Sequence, residues 1–102
     1  MDNFFIVFPK TVDEALTKLI PVLTRREKTK IVNMPEKDLV LLKSSVGLFI
    51  HSEYKLWGND PLINACKKFA AENSLTYDDP VMIIIWALWK NLQGTTLLKV
   101  VK

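Results

Sequence analysis

Five prolines, Pro9, Pro21, Pro35, Pro61 and Pro80, punctuate the chain and limit what it can become. Proline has no backbone N–H and its ring clashes with the preceding turn, so it suits the start of a helix and disrupts the interior. Three of the five stand at predicted helix starts: Pro35, Pro61 after Asp60, and Pro80 after Asp79. Pro21 falls inside an apolar stripe and predicts a kink or an early end there. Pro9 closes a short apolar run, residues 4–8. A chain divided in this way predicts a mainly α fold, an irregular bundle of four or five short helices rather than a long up-and-down bundle.

The intervals between prolines carry helical signals. Thr11-Val12-Asp13-Glu14 and Thr24-Arg25-Arg26-Glu27 both read as capping boxes, in which the Thr hydroxyl and the Glu carboxylate satisfy each other's backbone N–H groups. The first opens a helix whose Val12, Ala15, Leu16, Leu19, Ile20 and Leu23 recur at helical spacing. The second opens a short, solvated helix through about Val32, anchored by Ile31. A third helix is expected from Pro35 to Leu56 or Trp57, with Leu39, Leu42, Val46, Phe49 and Ile50 on one broad face and Gly58 as its left-handed stop. Asp60 is expected to cap a fourth, with Leu62, Ile63, Cys66, Phe69 and Ala70 inward. The last, residues 81–93, is apolar nearly all round its middle and is expected at the centre of the bundle, with Gly94 as its stop.

The two ends read differently. Residues 4–8 have the composition of a strand or, equally, of a buried extended arm, and the tail, residues 95–102, has strand composition with Leu97, Leu98, Val100 and Val101. A small two-stranded ribbon between them is expected, within the chain or between two copies in a homodimer. The chain shows no internal repeat, low-complexity segment or linker, and one domain over residues 1–102 is expected. Its 49% apolar content and three tryptophans fit a packed core rather than disorder.

Several function classes find no support. The longest apolar stretch, residues 81–89, is far short of the roughly 20 residues that span a bilayer. The N-terminus lacks the basic region of a secretory signal. One cysteine, Cys66, can form neither an internal disulfide nor a standard zinc site, which fits a reducing compartment and a cytoplasmic location. There is no glycine-rich phosphate loop, HExxH, GxSxG or paired-cysteine motif. No cofactor and no metal are expected.

The polar residues mostly read as structural. Asp79 stands where a carboxylate caps a helix. Cys66 reads as a core residue, and with His51 it makes the one Cys–His combination available. Arg25, Arg26, Lys28 and Lys30 form a basic cluster suited to phosphate contacts, but no aromatic residue is interleaved for base stacking. Lys43, Gly47 and His51 are spaced by four along the expected third helix, and a mid-helix glycine suggests close approach of a neighbour. Trp86 and Trp89 read as core. Trp57 stands at a helix end, where it either closes the core or meets a partner.

The series Phe8-Pro9-Lys10-Thr11, Asp13-Glu14-Ala15, Asp38-Leu39, Gly47, then Ile50 to Gly58-Asn59 through Glu53-Tyr54 and Leu56-Trp57, then Asp78-Asp79 and Ala87-Leu88-Trp89, resembles a small bacterial family of unknown function, the DUF6794 type. The resemblance covers most of the chain. Glu53, Trp57 and Asn59 match the family pattern. Lys43 stands where that pattern tends to His, and His51-Ser52 where it tends to Arg-Asn. The resemblance implies no activity, but it directs attention to the end of the third helix.

The leading expectation is therefore a non-enzymatic protein-interaction module of the bacterial cytoplasm, contacting an unidentified protein partner through His51, Glu53, Tyr54, Trp57 and Asn59. A first alternative is weak nucleic-acid binding through Arg25, Arg26, Lys28 and Lys30. A second is an enzyme with a polar site at His51 and Glu53, or Lys43.

Overall fold

The computed structural model describes the backbone of residues 8–101 and the side chains of residues 8–94. Five α-helices follow in order: α1 (Val12–Leu19), α2 (Arg25–Val32), α3 (Val46–Glu53), α4 (Asp60–Glu72) and α5 (Pro80–Val101). Tighter 3-10 turns occupy Ile20–Val22, Glu36–Ser44 and Leu56–Gly58. No strand occurs among the described residues.

Helix α5 is the axis of the bundle. Helices α1 to α4 and the Glu36–Ser44 segment all pack on it. Val81, Met82, Ile83, Ile84 and Ile85 are five consecutive buried residues. At about 100° per residue they sweep the whole circumference of the helix, so every side of α5 must be covered. Each fully buried Ile or Leu contributes about 1.5–3 kcal/mol of transfer free energy. Ala15 and Leu19 of α1, Ile31 of α2, Leu39, Ile50 of α3 and Leu62 of α4 supply the cover, all nearly or wholly inaccessible.

Local chemistry sets the helix boundaries. Thr24 and Glu27 form the expected capping box, with reciprocal bonds of 3.1 and 2.8 Å. At α1 the Thr11 hydroxyl accepts from the Glu14 N–H, but the Glu14 carboxylate reaches one residue further back, to the Lys10 N–H at 2.9 Å. Pro21 ends α1 early, in the 3-10 turn Ile20–Val22. The cap of α4 is Asn59 rather than Asp60: its Oδ1 accepts from the Leu62 N–H, and Asp60 and Pro61 are already helical. Asp79 Oδ1 accepts the Val81 N–H at 2.9 Å and starts α5.

The expected third helix is three pieces. It begins as the 3-10 segment Glu36–Ser44, breaks at Ser45 (φ −126°, ψ −83°) and resumes as α3. It breaks again at Lys55, which takes the left-handed conformation (φ 48°, ψ 51°) expected of Gly58. The apolar period was read correctly, but one straight helix cannot place Leu39, Ile50, Tyr54, Leu56 and Asn59 all inside, and all are buried. Gly47 marks where α3 meets α5: a methyl added there would stand 3.1 Å from Val81 Cγ1.

Among the described residues the expected ribbon is not formed. Residues 4–7 lie outside the described residues. The tail, through Val101, continues α5 as helix past Gly94. Leu97, Leu98 and Val101 fit a helical period as well as a strand composition, and extending an existing helix needs no new nucleus. Gly94 and the tail's β-branched residues each reduce helix propensity by about 1 kcal/mol or less, too little to stop it.

Two substitutions test these boundaries. Gly94 has a negative φ and open space around it, so Gly94→Ala is expected to raise stability by about 0.5–1 kcal/mol. If Gly94 instead ended the helix in a left-handed turn, the same change would destabilise. Ser74 (φ 56°) closes α4, with the Leu75 N–H on Ala70 O at 2.8 Å and the Ser74 N–H on Ala71 O at 3.3 Å. Ser74→Gly relieves that left-handed residue and is expected to add about 1 kcal/mol in urea unfolding.

Burial also sets the alkaline limit of the fold. It pushes the Cys66 thiol from 9.0 up to about 12, and, with help from the nearby Glu53 charge, the Tyr54 phenol from 10.0 to about 12. Both groups are neutral in the folded state at pH values where the unfolded chain has already ionised them. Their stability contribution is therefore full below pH 9 and falls as pH rises through 10 towards 12. Urea unfolding at stepped pH should show this decline, and Cys66→Ala should flatten its first part, just above pH 9.

Candidate functional site

The end of α3 turns sharply into α4, and the five residues expected to share a binding surface separate there into two groups. Tyr54 and Asn59 face inward. Tyr54 is 3% exposed and its hydroxyl donates to Ala15 O in α1 at 2.7 Å. Its ring meets Phe49 edge-on at 6.0 Å. Asn59 is the one buried polar residue of the described chain. Its amide donates to Pro9 O at 2.9 Å and Tyr54 O at 3.2 Å, while its Oδ1 caps α4. One side chain thus ties the segment before α1, the end of α3 and the start of α4. Neither residue is available to a partner.

His51 and Trp57 face outward. The two rings meet edge to face, 5.6 Å between centroids and 65° between planes. Trp57 is 67% exposed, while its neighbour Leu56 is fully buried. The left-handed Lys55 makes this division: it reverses the chain so that Leu56 enters the core and Trp57 leaves it. A left-handed non-glycine residue costs about 1–2 kcal/mol, so the display of Trp57 rests on a strained turn. His51, Ser52, Lys55, Leu56, Trp57 and Gly58 line a shallow depression of about 450 Å³. Glu53 is exposed but does not line it. It lies two residues from His51, about 200° round the helix.

The other sequence candidates are dispersed. Lys43 pairs with Asp79 at 2.8 Å, in a solvent-exposed bridge that braces the start of α5; such pairs are worth about 0–1 kcal/mol. It does not join His51 along a common stripe, because the chain breaks at Ser45 between them. Cys66 is fully buried on α4, and a thiol held to about 12 is protonated and inert at neutral pH. Trp86 and Trp89 are half-buried against the core, and Lys90 Nζ stands 5.7 Å from the centroid of each ring. Trp89 Nε1 donates to Met34 O at 3.0 Å. Among the described residues no three His, Cys, Asp or Glu side chains gather to hold a metal ion.

The basic cluster lies along α2. Arg25, Arg26 and Lys30 are exposed and Lys28 is half-buried. Beside α2 the structure opens a cleft of about 400 Å³, lined by Leu19, Val22, Leu23, Glu27, Lys30, Ile31, Leu42, Ser45, Val46 and Phe49. Sequence reasoning did not find it. Its apolar residues belong to stripes that read as core, and nothing in their spacing shows that α1, α2 and α3 stop short of closing over them. No helix among the described residues is long and apolar enough to cross a membrane.

Reassigning Tyr54 and Asn59 to the core has measurable consequences. Tyr54→Phe removes one buried hydrogen bond and is expected to cost about 1 kcal/mol. Asn59→Ala loses the α4 cap and leaves Pro9 O unpaired, a cost of about 2–4 kcal/mol. Asn59→Asp keeps the cap but not the donor, and should fall between Asn59→Ala and the parent in urea unfolding.

Comparison with known proteins gives the chain a family and no activity. No curated protein and no solved structure matches the chain. A family model does match, over residues 8–92, from the exposed Phe8 to the buried Leu92 of α5. The chain belongs to DUF6794, a family of domains of unknown function.

Proposed function

We propose that this domain is a non-enzymatic protein-interaction module of the bacterial cytoplasm, and that its contact surface centres on Trp57 and His51. The observation that carries the reading is the exposure of Trp57 on a fixed turn. Its backbone is held on both sides by buried neighbours, Leu56 and Asn59, and by the Gly58 N–H on Lys55 O at 2.9 Å and the Asn59 N–H on Leu56 O at 3.1 Å. A large aromatic side chain held rigid loses little entropy on binding, and tryptophan is enriched at binding hot spots. The depression beside it is shallow, which suits an opposing protein surface. The unpaired, buried Cys66 fits a reducing compartment, and the family resemblance supports a bacterial source.

The expected surface is corrected by this geometry. Tyr54 and Asn59 support the turn from inside, and Glu53 lies beyond the depression. His51, Ser52, Lys55 and Trp57 remain as its polar and aromatic lining.

The test is capture from a bacterial lysate with the tagged chain and its Trp57→Ala variant, each with and without nuclease. The variant should keep its helical circular dichroism and thermal midpoint, because Trp57 is mostly solvated. Trp57→Ala should lose a nuclease-insensitive partner, with affinity falling by about 30-fold or more, as for a hot-spot truncation of about 2 kcal/mol or above. Equal capture by both forms would place the contact elsewhere. Capture that vanishes with nuclease and falls steeply with salt would transfer the function to Arg25, Arg26, Lys28 and Lys30.

A further inference from the structure

The cleft beside α2 plays no part in the Trp57 surface and has a chemistry of its own. At about 400 Å³ it falls within the ~300–1,000 Å³ range of small-molecule sites. Its floor is closed by residues of the core, Leu19, Ile31 and Leu42, and its walls by the half-buried Leu23, Val46 and Phe49. Val22, 55% exposed, stands at the lip. The interior is therefore an apolar trough that remains open to water.

Three polar residues line it: Glu27, Lys30 and Ser45. They are not equivalent. The Glu27 carboxylate is engaged at the helix start, where it accepts the Thr24 N–H at 2.8 Å. Lys30 is exposed and forms no ion pair among the described residues. Arg26 stands one turn before Lys30 on the same side of α2, and the helix as a whole carries four cations against one carboxylate. An apolar trough beside a positive wall selects a ligand that is apolar along its length and anionic at one end. It disfavours a nucleotide, which needs many polar partners, and an amphiphilic cation, which the wall repels.

We propose that this cleft binds a medium-chain aliphatic carboxylate, its chain laid against Leu23, Val46 and Phe49 and its carboxylate beside Lys30. Burial of the chain supplies most of the affinity. The exposed lysine adds selectivity for the anion, by about fivefold at most, as for a solvent-exposed ion pair. The site is independent of the Trp57 surface.

Calorimetric titration of the full chain with dodecanoate and dodecyltrimethylammonium, each below its micelle-forming concentration, and with dodecanol, below its solubility limit, tests the proposal. Saturable binding is expected in that order of affinity, with dodecanoate about fivefold tighter than the alcohol. Lys30→Gln should bring dodecanoate down to the affinity of dodecanol and leave dodecanol unchanged. Val22→Asp, at an exposed position that the fold tolerates, should weaken dodecanoate by about tenfold or more. Trp57→Ala should bind dodecanoate like the parent, which separates this site from the protein-binding surface. Absence of saturable dodecanoate binding would overturn the proposal. So would equal binding of all three probes, or a correctly folded Val22→Asp that binds dodecanoate unchanged.

Discussion

The burial of the first turns of α5, Val81 to Ile85, on every side is the constraint from which the rest of the structure follows. A helix that is apolar round its whole circumference cannot lie on a surface, so other segments must surround it. Four helices and a 3-10 segment all reach α5, and each is short enough to turn away for the next. The prolines and caps provide those turns. Gly47 provides closeness, letting α3 approach the Val81 side chain where an added methyl would stand 3.1 Å from Val81 Cγ1.

The same constraint explains the irregular residue at the candidate surface, Lys55. The chain leaving α3 must place Tyr54 and Leu56 in the core and still begin α4 with Asn59 buried. A regular helix would rotate one of them outward. Lys55 in the left-handed region resolves the conflict, and the outcome is that Trp57 points to water. Its exposure is thus a by-product of packing, with the His51 ring set against it. Asn59 stabilises the arrangement by satisfying a carbonyl on each of two segments while capping a third element. A polar side chain so deeply placed contributes specificity as well as energy, because only one arrangement of the three segments satisfies all its bonds.

The open cleft has a related origin. Helices α1 and α2 are eight residues each, and the turn at Pro21 bends the chain away before α1 can extend over Phe49. A short helix covers only about 12 Å of its neighbour. What is left uncovered is an apolar trough beside the most basic helix of the molecule. The sequence pattern marked both ingredients, the apolar stripes and the basic run, but as separate features with separate roles.

Much was legible in the residues alone. Capping and proline chemistry act within a few residues, so the starts of α1, α2 and α5 and the early end of α1 could be read directly. The apolar run from Val81 onward announced a central helix because a side chain's hydrophobicity does not depend on what covers it. The family could be read as well, from motifs spread over most of the chain. Other features depended on partners distant in sequence. Whether Tyr54, Trp57 and Asn59 faced in or out was decided by Ala15, Leu56 and Pro9, and no local rule weighs a left-handed Lys55 against the burial of its neighbours. The tail read as strand by composition, and the helix already formed before Gly94 overrode that reading through Val101. Secondary structure was determined where the chain's own neighbours held the energy, and the candidate sites where contacts across tens of residues did.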